Sequence, residues 1–209
     1  MIAIDINKRI GRGPGSFRLQ VKTVFQFNSV TRILGPSGVG KSTLLKILAG
    51  FITPDSGLIK FGDAVWFDSQ IKYSKMVQER NVGFVFQDYA LFPNMTVAQH
   101  LHYGSDNADY INQLLELGEL TSLKERLPRQ LSGGQQQRLA ILRALSTKPK
   151  LLLMDEPFAA LDSALKIRIM ERLKSLFEEQ QTTVLMVTHQ DQEWEHPKNQ
   201  IFNLLSQED

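Results

Sequence analysis

Gly35-Pro36-Ser37-Gly38-Val39-Gly40-Lys41-Ser42-Thr43 is the stretch on which the reading of this chain turns. Its first eight residues have the spacing G-x-x-x-x-G-K-[ST], with the β-like run Thr31–Leu34 before them and the apolar, helix-like stretch Thr43–Ala49 after. Glycines let such a loop wrap closely and aim successive backbone N–H groups inward as an anion nest. The helix that follows adds the partial positive charge of its N-terminus. In that setting Lys41 reaches the β- and γ-phosphates of a nucleoside triphosphate, and the Ser42 hydroxyl ligates Mg2+. The bland alternative is an accidental glycine-rich turn, and it leaves the flanking strand and helix unexplained.

Outward from the loop, β-like runs cover Met1–Ile6 and Ser16–Val21, separated by the Gly/Pro-rich Gly11–Gly15. Leu58–Phe61, Ala64–Phe67 and Val82–Phe86 again read as strands. From Asp88 to Pro128 the texture turns helical. Thr96 caps a helix to Tyr103, and shorter helices are expected over Tyr110–Leu117 and Ser122–Leu127. A helix from Gly133 to Ser146 leads to Leu151–Met154, an apolar run typical of a strand buried on both faces. The amphipathic Ser163–Glu179 and the strands Thr183–Val187 and Ile201–Leu205 complete the order. That order predicts an α/β fold, with a mostly parallel sheet, crossover helices and a helical insertion near residues 88–135.

Composition narrows the chemistry. The chain has 209 residues, room for one sizeable domain, and its 42% hydrophobic content suits a packed core. A formal charge of +2 gives no footprint for nucleic acid, so no nucleic-acid partner is expected. With no cysteine there is no disulfide, thiolate nucleophile or cysteine-ligated zinc. Met1-Ile-Ala-Ile-Asp5 meets a charge too early for a signal-peptide core, and no apolar run approaches the roughly 18 residues of a membrane span. The expectation is a cytoplasmic protein that meets a membrane only through a partner.

Leu131-Ser132-Gly133-Gly134-Gln135 sets two glycines at a helix start, exposing its first N–H groups beside the Ser132 hydroxyl; a plain serine cap is the alternative. Leu151–Met154 ends in Asp155-Glu156, which delivers one carboxylate to a Mg2+ shell and the other to an attacking water; two solvated charges are the alternative. Gln87 closes the Val82–Phe86 run, and His189 follows Thr183–Val187 through Thr188. Taken singly, these two read as a surface amide and a structural histidine.

Together these segments resemble the ABC (ATP-binding cassette) ATPase family over nearly the whole chain. Gly35–Ser42 is similar to its Walker A motif, Gln87 to the Q-loop glutamine and Leu131–Gln135 to the family signature. Leu151–Asp155 is similar to the Walker B strand, with Glu156 as general base. Ala160-Leu161-Asp162 resembles the D-loop and His189 the switch histidine. The resemblance implies a P-loop NTPase of RecA-like core with an antiparallel β edge and a small helical subdomain over 88–135, in a single domain over 1–209. It implies ATP and Mg2+, with Ser42, Gln87 and Asp155 at the metal and Glu156, His189 and Gln87 in catalysis. It also implies a two-fold dimer, in which Ser132, Gly133, Gly134 and Gln135 of one copy meet the ATP cradled by Gly35–Thr43 of the other.

Val82–Pro93 resembles bacterial importer ATPases serving molybdate, sulfate, iron, polyamines and sugars, and Arg126-Leu127-Pro128 is most similar to the molybdate group. That implies a membrane permease, an extracytoplasmic solute-binding protein upstream, and a place on the inner face of the cell membrane. The chain departs from the pattern in having no aromatic residue over Arg9–Pro14 to stack on adenine. Phe17 is a substitute, but its alternation with Leu19 and Val21 favours a core role. The end after His189 is short, and no C-terminal regulatory domain is expected. A DNA-repair ATPase of the same family would carry coiled-coil or zinc-bearing insertions, and neither heptads nor cysteines occur. A degenerate binding subunit would lack some of Lys41, Asp155, Glu156 and His189. A small-molecule kinase would not need Leu131–Gln135.

Overall fold

A computed structural model describes residues 1–11, 15–188 and 200–205. In chain order it forms β1 (Ile2–Ile10), β2 (Phe17–Phe25), β3 (Val30–Leu34), α1 (Lys41–Ala49), β4 (Ser56–Phe61), β5 (Ala64–Asp68) and β6 (Tyr73–Ser74). There follow β7 (Val82–Val85), α2 (Val97–His102), α3 (Ala108–Leu117), α4 (Gly133–Ser146), β8 (Leu151–Asp155), α5 (Ser163–Gln180), β9 (Thr183–Val187) and β10 (Gln200–Asn203). The chain divides into two units, Met1–Val82 with Thr183–Asp209, and Gly83–Thr182.

The first unit holds an antiparallel sheet in the order β2-β1-β4-β5-β6. β1 and β2 pair along their whole length, from Ile2 opposite Phe25 to Ile10 opposite Phe17. Side chains alternate across a strand, so Ile2, Ile4 and Ile6 share a buried face with Leu19, Val21 and Phe25. Each such burial stabilises by about 1.5–3 kcal/mol. β1 runs four residues beyond the Ile6 at which its apolar pattern stops. The Asp55 carboxylate secures that extension, accepting Lys8 Nζ and the Arg9 amide at 2.7 Å each, and these bonds hold its carboxyl below the ordinary value. The unit also contains parallel pairing, with β3 between β10 and β9. β9 is buried at every residue, as its unbroken apolar run requires.

Helix α1 springs from the loop after β3 and is anchored at its far end by Arg80, 4% exposed. The Arg80 guanidinium donates to the carbonyls of Ile47 and Leu48 at 3.0 and 2.9 Å, and to that of Lys75 at 3.1 Å. It also lies over the Trp66 ring at 5.4 Å. The last carbonyls of a helix have no partner within it, so a buried cation there satisfies both the hydrogen bonds and the helix dipole.

In the second unit β8, buried at all five residues, lies beside β7. Its helices start on side-chain caps. Thr96 and Ser132 form capping boxes with Gln99 and Gln135, and Asn107 and Asp162 accept from Tyr110 and Leu165 N–H. Ile111, Leu114 and Leu115 of α3 and Leu139, Leu142 and Leu145 of α4 are buried. The helix expected over Ser122–Leu127 does not form. A 3-10 turn covers Thr121–Leu123, and another covers Pro128–Gln130. The reason lies in α2, whose first amides need acceptors: Val97 N–H donates to Arg126 O at 2.9 Å and Ala98 N–H to Lys124 O at 2.8 Å. Carbonyls turned outward to cap another helix are not available to their own, and Pro128 disfavours helical backbone at Leu127.

Replacing Arg80 by Met keeps the apolar stem and removes the donors. Arg80→Met is expected to destabilise the protein by roughly 2–4 kcal/mol, through the Leu48 carbonyl left without its donor and the Ile47 carbonyl left with the Gly50 amide at 3.0 Å. Chemical denaturation followed by circular dichroism measures this.

Candidate functional site

The Gly35–Thr43 stretch lies wholly in the first unit. Pro36, Ser37 and Gly38 are exposed, Val39 and Lys41 are buried, and Lys41 opens α1. Lys41 Nζ donates to the carbonyls of Gly35 and Pro36 at 2.7 and 2.8 Å, so the ammonium is folded over the loop's own backbone. Gly40, the N-cap of α1, has φ +104°, where L side chains rarely go, and a Cβ there would sit 3.2 Å from Ile10 Cδ1 and Leu19 Cδ1. Glycine lets the β1–β2 hairpin approach the loop at the start of α1. Ser42 and Thr43 are half-buried at the same helix start. Phe17 is half-buried, whereas Leu19 and Val21 on its face are 2% exposed each.

The second unit gathers the other candidates. Asp155, the last residue of β8, is 5% exposed. Glu156 follows it with φ +51°, a left-handed backbone that costs a non-glycine residue on the order of 1–2 kcal/mol. Gln137 of α4, 3% exposed, ties this corner together. Its Nε2 donates to Glu156 O at 3.1 Å and its Oε1 accepts the Ala160 amide at 2.8 Å.

The Ser132–Gln135 segment starts α4 next to the same corner. Ser132 and Gly133 are exposed. The Ser132 Oγ accepts the Gln135 amide at 3.3 Å, and Gln135 Oε1 accepts the Ser132 amide at 2.8 Å. The plain cap foreseen for Ser132 is therefore present, and its hydroxyl proton remains available to donate. A Cβ on Gly134 would fall 3.1 Å from Ala160 O and 3.2 Å from Leu161 Cδ2, so glycine admits the 160–161 backbone beside the helix start. Asp162 is exposed and caps α5 by accepting the Leu165 amide at 3.0 Å. Gln87 is exposed just past β7, inside a turn closed by Tyr89 N–H on Phe86 O at 3.1 Å. His189 lies outside the described residues.

Thus Ser132–Gln135, Asp155–Glu156 and Ala160–Asp162 converge in the second unit, and Gly35–Thr43 stands in the first. Gln137 went unread in the sequence. Its signal was the run Gln135-Gln136-Gln137, three amides with three tasks. Gln135 completes the cap, Gln136 donates to Pro128 O and Leu131 O, and Gln137 braces Glu156.

The profile of the ABC transporter family matches residues 19–159. The chain is 43% identical over 203 residues to a sulfate/thiosulfate import ATP-binding protein CysA of Mesostigma viride, covering 92% of this chain and 56% of that one. It is 40% identical over 193 residues to a probable sulfate/thiosulfate import ATP-binding protein CysA of Chlorella vulgaris, covering 88% of this chain and 78% of that one. The chain thus spans little more than half of the first relative. Among solved structures it is similar to a dimeric ATP-binding cassette in a post-hydrolysis state bound to ADP and Pi. That likeness has a TM-score of 0.77 and 32% identity, covering 91% of this chain and 88% of that one. No helix among the described residues is long and apolar enough to cross a membrane.

Gln137→Leu keeps the volume and removes both bonds. It is expected to destabilise the protein by roughly 1–3 kcal/mol and to speed hydrogen exchange of the Ala160 amide, read by NMR.

Proposed function

Since the chain belongs to the ABC transporter family of ATP-binding proteins, we propose that it binds and hydrolyses ATP with Mg2+ as the energy-supplying subunit of an importer for a tetrahedral oxyanion. Sulfate or thiosulfate is the cargo named for its relatives, and molybdate, suggested by Arg126–Pro128, has the same shape and charge class. The observation that carries the reading is the Lys41 ammonium folded over a loop whose exposed backbone opens onto the start of α1.

In this reading Gly35, Pro36, Ser37, Gly38, Val39, Gly40, Ser42 and Thr43 surround the phosphates with amides and hydroxyls, and Lys41 exchanges carbonyl partners for β- and γ-phosphate oxygens. The Ser42 hydroxyl, the Asp155 carboxylate and the Gln87 amide oxygen are hard oxygen donors, a set that fits Mg2+. Bound there, Mg2+ neutralises charge on the β- and γ-phosphates.

Glu156 orients a water in line with the γ-phosphorus and takes its proton as the new P–O bond forms and the bond to the ADP oxygen breaks. The left-handed backbone at Glu156, braced by Gln137, supports a carboxylate held in place before substrate arrives. His189 contacts the γ-phosphate, and Asp162 lies in the segment through which the two copies meet.

Ser132, Gly133, Gly134 and Gln135 of a second copy complete the γ-phosphate's shell from across a dimer. The exposure of Ser132 and Gly133 at a helix start and the dimeric cassette among similar structures support this. Loss of the γ-phosphate then removes the contacts that close the dimer. Residues 88–135 would carry that change to a permease on the cytoplasmic side of the membrane, fed by a solute-binding protein. The domain limits follow the same proposal, with 1–87 and 136–209 as core and 88–135 as helical subdomain.

Glu156→Gln is expected to keep ATP binding, to lower kcat by roughly 10²- to 10⁴-fold, and to accumulate an ATP-bound dimer in gel filtration. Undiminished steady-state turnover in that variant would remove Glu156 from the role of base. In the assembled importer, hydrolysis should rise with sulfate, thiosulfate or molybdate in a coupled phosphate-release assay; stimulation by a sugar instead contradicts the oxyanion reading.

A further inference from the structure

Just beyond Gln87 the backbone takes an expensive path. Tyr89 and Ala90 both lie in the left-handed region, at φ 63° and 47°, each at a cost on the order of 1–2 kcal/mol. Contacts from outside the segment must hold it. Arg143 of α4 provides one set, its guanidinium donating to the carbonyls of Ala90 and Tyr89 and lying 5.3 Å over the Phe92 ring.

His100 of α2 provides the other. Its side chain is wholly buried, Nε2 accepts the Phe92 amide at 2.9 Å, and Nδ1 meets Thr96 O at 2.8 Å. Its ring also stacks on that of Phe92, with centroids 5.6 Å apart. An amide can only donate, so Nε2 is unprotonated and Nδ1 carries the hydrogen given to Thr96. The imidazole is neutral and of one tautomer.

We infer that His100 and Arg143 are positioning residues for the 88–92 segment and, through it, for Gln87, and that hydrolysis requires His100 to stay neutral. The inference rests on the ATPase reading above. The mechanical link is short. Gln87 and Asp88 are the central residues of the turn closed by Tyr89 N–H on Phe86 O, and Ala90 N–H donates to Asp88 O at 2.8 Å. Whatever releases Tyr89 to Phe92 releases Gln87.

Protonating His100 does so, because it sets an Nε2–H against the Phe92 N–H, donor against donor. Burial pushes the His100 imidazole below its ordinary value, the Thr96 carbonyl acts the other way, and the Arg143 charge adds to burial. Around it His102 on α2 and Asp109 and Glu116 on α3 are exposed, and Arg138 of α4 is engaged with the Gly118 and Glu119 carbonyls. With its folded value depressed, His100 binds its proton less readily folded than unfolded, so its stabilising contribution is present at neutral pH. That contribution declines as pH falls from the ordinary histidine range through the depressed value.

The test uses the full chain as wild type, His100→Gln and His100→Phe. Steady-state MgATP hydrolysis is measured from about pH 5 to pH 8, and Phe92 amide exchange is followed by NMR. Gln offers Oε1 to the Phe92 amide at any pH. His100→Gln should therefore hold wild-type turnover at neutral pH and lack the acid limb that wild type shows. Phe keeps a ring against Phe92 and offers no acceptor. His100→Phe should lower kcat by roughly 10- to 100-fold with KM for ATP unchanged, and should lose Phe92 protection while its thermal midpoint shows a folded protein. Superimposed pH profiles for wild type and His100→Gln, or a folded His100→Phe with wild-type kcat and Phe92 protection, overturn the inference. A wild type inert toward MgATP overturns the ATPase reading, and Phe92 exchange that tracks the state of residue 100 upholds the positioning in that case.

Discussion

A single buried amide, that of Gln137, spans the carbonyl of Glu156 and the N–H of Ala160, and much of the second unit is arranged around the corner it closes. β8 ends there, the segment leading to α5 begins there, and the glycine-bearing start of α4 comes up against Ala160. The backbone of that corner satisfies itself only in part, with Ala159 N–H on Glu156 O at a long 3.4 Å and Leu161 N–H on Phe158 O at 3.2 Å, and a buried polar group left alone is costly. A side chain rooted one turn into α4 meets the need. Because Gln137 sits on the helix that Ser132 caps, the strand-end carboxylates and the exposed helix start are parts of one rigid piece.

The same solution recurs wherever the chain leaves regular structure. Arg80 holds the end of α1, Arg138 takes the carbonyls after α3, Arg143 takes those of Tyr89 and Ala90, and the Tyr110 hydroxyl donates to Leu145 O at 2.8 Å. These are long or ringed polar side chains whose stems pack with the core and whose heads reach backbone carbonyls. The apolar interior fixes where strands and helices lie, and the braces fix the path of the connections on which the chemistry depends. Burial of the Arg80 and Arg138 cations is tolerable because each is met by several carbonyl oxygens.

That division explains what could be read from the amino acids alone. Leu151–Met154 and Thr183–Val187 announce buried strands by unbroken apolarity, and Gly35–Thr43 announces its loop by spacing, because these signals are local. The capping pairs Thr96–Gln99 and Ser132–Gln135 are local too. The failure at Ser122–Leu127 is of another kind: its carbonyls face the first amides of α2, a partner some 25–30 residues earlier in the chain. β1 outran its apolar pattern for a similar reason, the carboxylate of Asp55 being remote in sequence. Gln137, His100 and Arg143 were illegible as braces because a polar residue on a helix is by default a solvent-facing one, and only the folded chain shows which are turned inward. The convergence of Glu156, Ala160 and Gly134 was half legible: each motif could be recognised, but not the brace that joins them.

The fold of Lys41 onto its own loop carries a consequence for selectivity. In the proposed reading, an ammonium already resting on the Gly35 and Pro36 oxygens and buried within the loop is partly desolvated before a triphosphate arrives, so less water has to be stripped from it on binding. A polyanion spread along the loop would repay the loss of those carbonyl contacts better than a small monoanion would. On that reading the lysine is a threshold as well as a magnet.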